Sequence, residues 1–426
     1  MSRIVLVLGA SGFIGARVAT AAAGRGWTVR AGSRNPGEGQ RRAPQHVWVK
    51  ADFGELTTAA AWSPLMDGVE AVVNCVGVLQ DGGGDSSRVA HVEGPAALFE
   101  ACSEGGVARV VHLSAVGVGA RTSYARDKLA GEEALAASGL DWIVVRPSLV
   151  VAREVYGGTA LFRGLAGLPK LIPLVGGERS FRPVGIEDLA SMMVGLLDGP
   201  APAERVIEAA GPETISLAEL ILAYRGWLGF GAAHILSLPR VAALPVLLAG
   251  DLAAWLGWRS SLRTTSLKQL EYGAAGTGPA TPGMRGFREV LATEPSGVPD
   301  RWHARLYFVR PIGVISLGLF WLMTGLIDLG PGGRAAEAIL RRAGFAEWSG
   351  VASLAGAWLD VALGALLFVR RFTRSTALLM IVATLGYLLV ATARLPDLWF
   401  DPLGPWLKVI PMMALCLFVA ATDDRR

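Results

Sequence analysis

Hydrophobic positions follow two regimes along this chain. Before about residue 300 they come as short runs of strand length, alternating with segments of helical spacing; beyond it they form long stretches with few charges. The opening run IVLVLGASGFIGARVATAAAGRGWTVRAGSR reads as a buried strand, a tight glycine turn, a helix and a second strand. Strand-like runs recur in HVWVKADF, EAVVNCVGVL, ARVVHLSAVGV and LDWIVVRPSLVV, separated by helical segments such as HVEGPAALFEACSEGG. This alternation predicts an α/β fold with a Rossmann-like, doubly wound parallel sheet.

Four apolar stretches, near 306–328, 351–369, 374–394 and 403–422, each approach the roughly 20 residues that cross a bilayer. They predict an all-α, four-helix transmembrane domain over 301–426. The segment 241–258 is apolar but short, and Pro245 and Asp251 interrupt it, so it is not expected to span. Flanked by Arg240, Arg259, Arg263 and Lys268, it reads equally as a helix lying in the membrane interface or as a packed helix of the preceding domain. The run GAAGTGPATPG after Tyr272 reads as loop, which makes 273–300 a linker.

Composition agrees with this division. At 426 residues the chain exceeds one ordinary domain, and its 18% charged residues fall below the roughly 25% of average soluble proteins. A net charge of +4 without a lysine-rich run excludes a nucleic-acid face. Cys75, Cys102 and Cys416 are odd in number and widely spaced, so neither a disulfide framework nor a metal site is expected. The first apolar run, Ile4–Leu8, has strand length rather than the length of a secretory core, which predicts a cytoplasmic first domain. Arginines 301, 305 and 310, then 370, 371 and 374, then 425 and 426, mark the cytoplasmic side of a multi-pass inner-membrane protein, although Arg334, Arg341 and Arg342 on the other side weaken that bias.

The candidate chemistry begins at Gly9, Gly12 and Gly15, which permit a sharp turn, backbone approach to a pyrophosphate and close packing of helix on strand. The helix that follows turns its N-terminal amides toward such an anion. Ser11, Phe13 and Ile14 of the same turn join the cofactor-lining set, as do Asp52, Phe53, Val76, Gly77, Ser114 and Pro147 at or near strand ends. No acid lies between Thr28 and Gly37, where a ribose-binding carboxylate would sit; Ser33 and Arg34 stand there instead. An arginine at that place pairs with a 2′-phosphate, so NADP(H) is favoured over NAD(H), the alternative being a solvated loop arginine. Tyr124 and Lys128 share one helix face at i, i+4 spacing. A nearby ammonium stabilises phenolate, which suits Tyr124 to general acid catalysis, with Ser114 polarising a carbonyl.

These residues resemble the short-chain dehydrogenase/reductase superfamily, in the atypical, extended branch that includes the NADPH-binding accessory subunit of mitochondrial respiratory complex I. NCVGVL, HLSAVGV, YARDKLAGEEAL, VVRPSLVV and RPVGIEDLA carry the resemblance over residues 1–300. It implies that Gly9, Gly12 and Gly15 hold the pyrophosphate, Arg34 the 2′-phosphate, and Tyr124 and Lys128 the nicotinamide ribose. It also implies a substrate lobe within a first domain of 1–272, in which Asp188 is a structural cap. Nine residues separate Ser114 from Tyr124, fewer than in most active members, and the branch includes members that hold NADPH structurally. The last part is similar to the DoxX-like membrane family, by its spans and the stretch WLDVALGALL. Asp360, inside the second span, is either functional or a hydrogen-bonding group of the bundle.

The expected function is a membrane-anchored, NADPH-dependent oxidoreductase whose substrate is lipophilic, such as a quinone or a lipid carbonyl, with membrane lipid as its surrounding partner. The alternatives are a non-catalytic cofactor-binding scaffold or assembly factor of a respiratory or other membrane complex, and a redox-sensing regulator.

Overall fold

The computed structural model describes residues 3–79, 81, 85–198, 204–272 and 275–423. Arg425 and Arg426, counted above as a cytoplasmic marker, lie outside them. The chain divides into two compact units, Met1–Asp251 with Ser260–Ala304, and Leu252–Arg259 with Arg305–Arg426.

In the first unit, strands β1 (Ile4–Leu8), β2 (Thr28–Ser33), β3 (Val47–Lys50), β4 (Val69–Asn74), β5 (Arg109–Leu113) and β6 (Trp142–Pro147) join the strand Arg205–Ala209 in one sheet. From one edge to the other its order is Arg205–Ala209, β6, β5, β4, β1, β2, β3, and every pairing is parallel. Such strands are covered on both faces and therefore read as nearly continuous apolar runs. Val5 and Val7 face one core with Val18, Ala22 and Met193, while Leu6 and Leu8 face another with Trp62, Leu98 and Phe99. The order reverses at β1: β2 lies on one side of it and β4 on the other, with Leu8 opposite both Gly32 and Asn74. Ligands of such sheets bind in the crevice beyond the strand ends at this switch point.

Around the sheet run α1 (Phe13–Gly24), α2 (Pro36–Arg42), α3 (Ala59–Met66), α4 (Gly94–Glu104) and α5 (Ser123–Ala136), with a single π-helical turn at Val89–Glu93 leading into α4. A third apolar cluster builds a lobe on α6 (Gly158–Ala166) and α8 (Leu217–Trp227), uniting Phe162, Phe181, Leu220 and Tyr224 with Phe287 and Leu291, whereas α7 (Ile186–Gly195) packs Leu189, Met193 and Val194 into the core that holds Val5 and Val7.

Those last two residues correct the expected linker. The helix Phe287–Thr293 lies inside 273–300 and is packed into the lobe, with Phe287 1% exposed. Around it Glu208 Oε2 accepts from the amides of Thr277 and Gly278, and Arg285 binds Asp188 through its guanidinium and its own amide. Glycine and proline set the turns, and buried partners fix the segment. Asp188 is accordingly structural, but it is not the cap of its own helix: Gly185 stands at that cap, and Asp188 clamps Arg285 instead.

Among the described residues three helices are long and apolar enough to cross a membrane, Val298–Leu329, which enters the second unit at Arg305, and Ser349–Leu367 and Thr373–Arg394 within that unit. Glycines bring the first two into backbone contact. A Cβ on Gly364 would lie 2.5 Å from Leu322 N, and one on Gly325 2.5 Å from Ala357 O. Small residues at crossings are how helices associate where no hydrophobic force separates them from lipid. Tyr387 donates to Asp360 at 3.2 Å, so the intramembrane carboxylate is hydrogen-bonded within the bundle.

The fourth expected span is shorter than the 403–422 stretch suggested. Pro402, Gly404 and Pro405 break the helix, Gly404 takes φ +56°, and Asp401 Oδ1 binds Leu403 N, so α-helix runs only over the 13 residues Val409–Ala421. At 1.5 Å per residue that is about 20 Å, short of the roughly 30 Å hydrocarbon layer.

Candidate functional site

The glycine turn closes where the sheet order reverses. Gly9 takes φ +72°, and a Cβ there would press within 3.1 Å of the backbone of Cys75, just beyond β4. A Cβ on Gly15 would lie 2.2 Å from Gly9 O, so the helix seats directly on the turn. Gly12 caps α1 without a side-chain acceptor, and the first turn of α1 holds no acid. The helix start is thus an uncompensated set of amides, which favours an anion. Val76 N, 3.2 Å from where a Cβ on Gly9 would lie, donates to Asn74 Oδ1 at 3.1 Å, and Gly77 stands next to the His91 ring.

At the end of β2, Ser33 Oγ is buried with no partner. A glycine cradle, uncapped amides and an orphaned hydroxyl fit a dinucleotide, which Gly9, Gly12, Gly15 and Ser33 would hold. Arg34 stands beside Ser33 with its side chain 61% exposed and bonded to Asp85. Two residues of the expected set serve otherwise. The Asp52 carboxylate caps its own turn at Gly54 N, 3.0 Å away, and the Phe53 ring is core, edge-on to Trp62 and against Gly94. Pro147 ends β6 and is buried, its carbonyl accepting from Val116 N at 3.0 Å.

Across the same strand ends, Thr122 caps α5 by accepting from Ala125 N, which starts the helix just ahead of Tyr124. Tyr124 and Lys128 share a face: Lys128 Nζ is 5.7 Å from the Tyr124 ring centroid and donates to Leu113 O at 3.0 Å, buried among its neighbours. Burial lowers the Lys128 ammonium to about 8, with Glu132 opposing the shift, and desolvation pushes the Tyr124 phenol up. At neutral pH the tyrosine therefore keeps its proton and the lysine is mostly charged, the protonation states suited to donating a proton to a nascent alkoxide.

Residues 9–163 match the NAD(P)H-binding family model, and residues 318–417 match the DoxX-like family model. The chain joins an NAD(P)H-binding domain to a DoxX-like domain. A ceramide reductase of Caulobacter vibrioides (strain NA1000 / CB15N) is 26% identical over 310 residues, covering 70% of this chain and 87% of that protein. Among solved structures, gox2253 superposes with a TM-score of 0.53 at 20% identity, over 71% of this chain and all but 1% of its own, since 99% is covered. The NADPH-dependent quinone oxidoreductase of Escherichia coli, complexed with NADPH, gives 0.52 at 18% identity over 68% of this chain and 99% of its own. These two share the fold.

The NAD(P)H-binding domain also uses residues that the sequence reading did not single out. Glu132 follows Lys128 by a further four positions on the same face of α5, and is buried. It accepts from the Ser114 hydroxyl and from Arg146, whose Nε lies 3.0 and 3.1 Å from its two oxygens. The Ser114 proton is therefore turned toward Glu132 rather than toward the crevice. His91, on the π-helical turn, sets its ring edge-on to Tyr124 at 5.5 Å, with Nε2 2.9 Å from Val78 O. Burial, reinforced by the Lys128 charge, lowers its pKa to about 3, so it is neutral. The i, i+4, i+8 series of Tyr124, Lys128 and Glu132 was a readable signal for Glu132; His91 had none.

Proposed function

We propose that this chain is a membrane-anchored, NADPH-dependent reductase of a lipid carbonyl, with its cofactor domain on the cytoplasmic side. The observation that carries the reading is the pairing of half-buried Tyr124 with buried Lys128 in a domain whose glycine turn closes at the switch point of the sheet, in a chain whose described residues also hold three helices long and apolar enough to cross a membrane. The curated relative's name, ceramide reductase, supports a lipid carbonyl over a quinone as the acceptor.

A nicotinamide dinucleotide held at Gly9, Gly12, Gly15 and Ser33 would supply a hydride to the carbonyl carbon, leaving the negative charge on the carbonyl oxygen. Tyr124 donates its phenolic proton to that oxygen. Lys128, held by Leu113 O, stabilises the phenolate left behind, and solvent restores the proton. His91 stands edge-on to Tyr124 and stays neutral, so that a second cation does not oppose Lys128, while the Glu132 charge favours the Lys128 ammonium. Arg34, now bonded to Asp85, would pair with a 2′-phosphate and so favour NADPH.

The test is NADPH oxidation by the full chain in lipid nanodiscs, offered a ceramide-class ketone, a short-chain quinone and a water-soluble ketone. We expect turnover on the lipid ketone and a loss of about 10²–10⁴-fold in Tyr124→Phe. One observation favours a second reading, a non-catalytic NADPH-holding scaffold: the Ser114 hydroxyl is engaged by Glu132. Tight NADPH binding without turnover on any acceptor would support the scaffold and overturn the reductase.

A further inference from the structure

The helix α9 (Arg240–Trp255) is apolar nearly throughout, yet Leu247 is its one buried residue. Val241, Leu244, Leu248, Leu252 and Trp255 fall on one stripe at helical spacing, and all five are exposed, Trp255 to 89%. Five large apolar side chains in a row are more than scattered surface residues and mark an interaction face. The helix is 16 residues long, about 24 Å at 1.5 Å per residue, which falls short of a roughly 30 Å hydrocarbon layer.

Its other side is closed by the returning chain. A Cβ on Gly250 would lie 1.8 Å from Leu262 O, and Asp251 is bound by Arg263 Nε at 3.1 Å and by the Thr264 hydroxyl at 2.7 Å. The acid of the helix, which stands at the flank of the stripe, is thereby paired with the returning chain.

What the stripe meets follows from where the helix ends. Residues Leu252–Arg259 belong to the membrane unit. Leu256 O accepts from Arg370 N at 2.9 Å, Trp258 Nε1 donates to Phe368 O at 2.6 Å, and the Arg370 guanidinium lies 5.3 Å from the Trp258 ring. Residues 368–372 are the turn between the helices Ser349–Leu367 and Thr373–Arg394, both long and apolar enough to cross a membrane. A turn between two spans lies at the bilayer boundary, and Arg370, Arg371 and Arg374 give it the charge of a headgroup layer's partner. The helix therefore runs out of a bilayer boundary with an uncovered apolar stripe.

We propose that Arg240–Trp255 lies in the membrane interface, with Val241, Leu244, Leu248, Leu252 and Trp255 in the acyl boundary of the bilayer that the second unit spans. The partner is the phospholipid surface itself. Arg240, Arg259 and Lys268 flank the helix as the basic edge of such an element, and Trp255 and Trp258 have the amphipathic rings that settle at headgroup depth. The assignment is independent of the proposed reaction, and the helix is a second attachment besides the spans.

The full chain in nanodiscs of phosphatidylcholine and phosphatidylglycerol carries the test. Single nitroxide labels are placed through cysteines at 244, 248, 252 and 255, with a label at the exposed Glu104 of α4 as the aqueous reference and the unsubstituted chain as the background for its own thiols. Collisional relaxation by oxygen is compared with relaxation by a water-soluble nickel chelate. We expect oxygen to dominate at all four helix positions, with a depth of about 5–10 Å below the headgroups, and nickel to dominate at 104. A helix in water would give nickel-dominated relaxation, and one covered by protein would be shielded from both reagents; either result overturns the proposal. Trp255→Phe supplies a check without labels: brominated acyl chains should quench the parent's fluorescence more than the variant's. Equal quenching of the two would count against the interface.

Discussion

Tyr124, Lys128, His91 and Arg34 each make a claim that one substitution or one titration can test. With Lys128 lowered by burial to about 8, its ammonium is lost as pH rises through that value in the free protein. Under the proposed mechanism kcat/KM on a lipid ketone falls between pH 7 and 9 with an inflection near 8, and a flat profile would remove Lys128 from proton donation. His91 gives the opposite window, in stability. Its folded pKa of about 3 lies below the ordinary 6.5, so between those values the unfolded chain binds the proton and the folded chain does not. Stability is constant above about pH 6.5 on this account and declines on acidification. The melting temperature of the full chain should fall from pH 7 to pH 5, and fall less in His91→Gln. Arg34→Ala should weaken NADPH by roughly 10–100-fold, the worth of a charge-assisted pair, and leave NADH unchanged; equal weakening of both would assign Arg34 to the loop alone. At this scale the sequence was legible where chemistry forces a residue type, as at Gly9 and Gly15, whose places tolerate no Cβ. The place of Glu132 on the face of α5 was readable, but its bonds to Ser114 and Arg146, like the packing of Phe53 on Trp62 and Gly94, were hidden because the partners stand elsewhere in the chain.

Among elements, the joint between α5 and the π-helical turn holds the site together. Gly131 lies between Lys128 and Glu132, and a Cβ there would come within 2.1 Å of His91 O. Gly131→Ala should force α5 off that turn, moving Tyr124 against His91. The expected result is at least a tenfold loss of turnover with a lowered melting temperature, because overpacking costs about 1–3 kcal/mol. Unchanged turnover would mean that the joint does not position the pair. The strands of the sheet were legible because burial on both faces makes each an apolar run between turns. The end of the membrane unit was less so: its last stretch has the hydropathy of a span, but Pro402 and Pro405 cannot donate to a helix and Gly404 takes a positive φ. The segment 273–300 was misread for the converse reason. Glycine and proline suggest a linker, while Phe287, Arg285 and Asp300 anchor it to the lobe.

For the whole molecule, a cofactor-binding unit continues into a membrane unit, and the proposed reaction requires a lipophilic substrate and a cytoplasmic cofactor. The arginines near Arg301–Arg310 and Arg370–Arg374 motivate the orientation. A topology reporter inserted after Arg371 should read as cytoplasmic; a periplasmic signal would reverse the proposed placement. Hydropathy separates the two compositions, because lipid and water select different residues, but it did not show that Leu252–Arg259, inside the expected first domain of 1–272, belongs to the second unit. The acceptor was not, since the lobe's pocket carries no readable code in a single chain. The most direct test of the central claim follows the hydride itself. The full chain in nanodiscs is given NADPH deuterated on the transferring face of C4, together with a ceramide-class ketone, and the product is analysed by mass spectrometry. The account predicts an alcohol with one deuterium on the former carbonyl carbon, formed far more slowly by Tyr124→Phe. NADPH bound and unconsumed, with the ketone recovered unchanged and no deuterium transferred to quinone either, would contradict it.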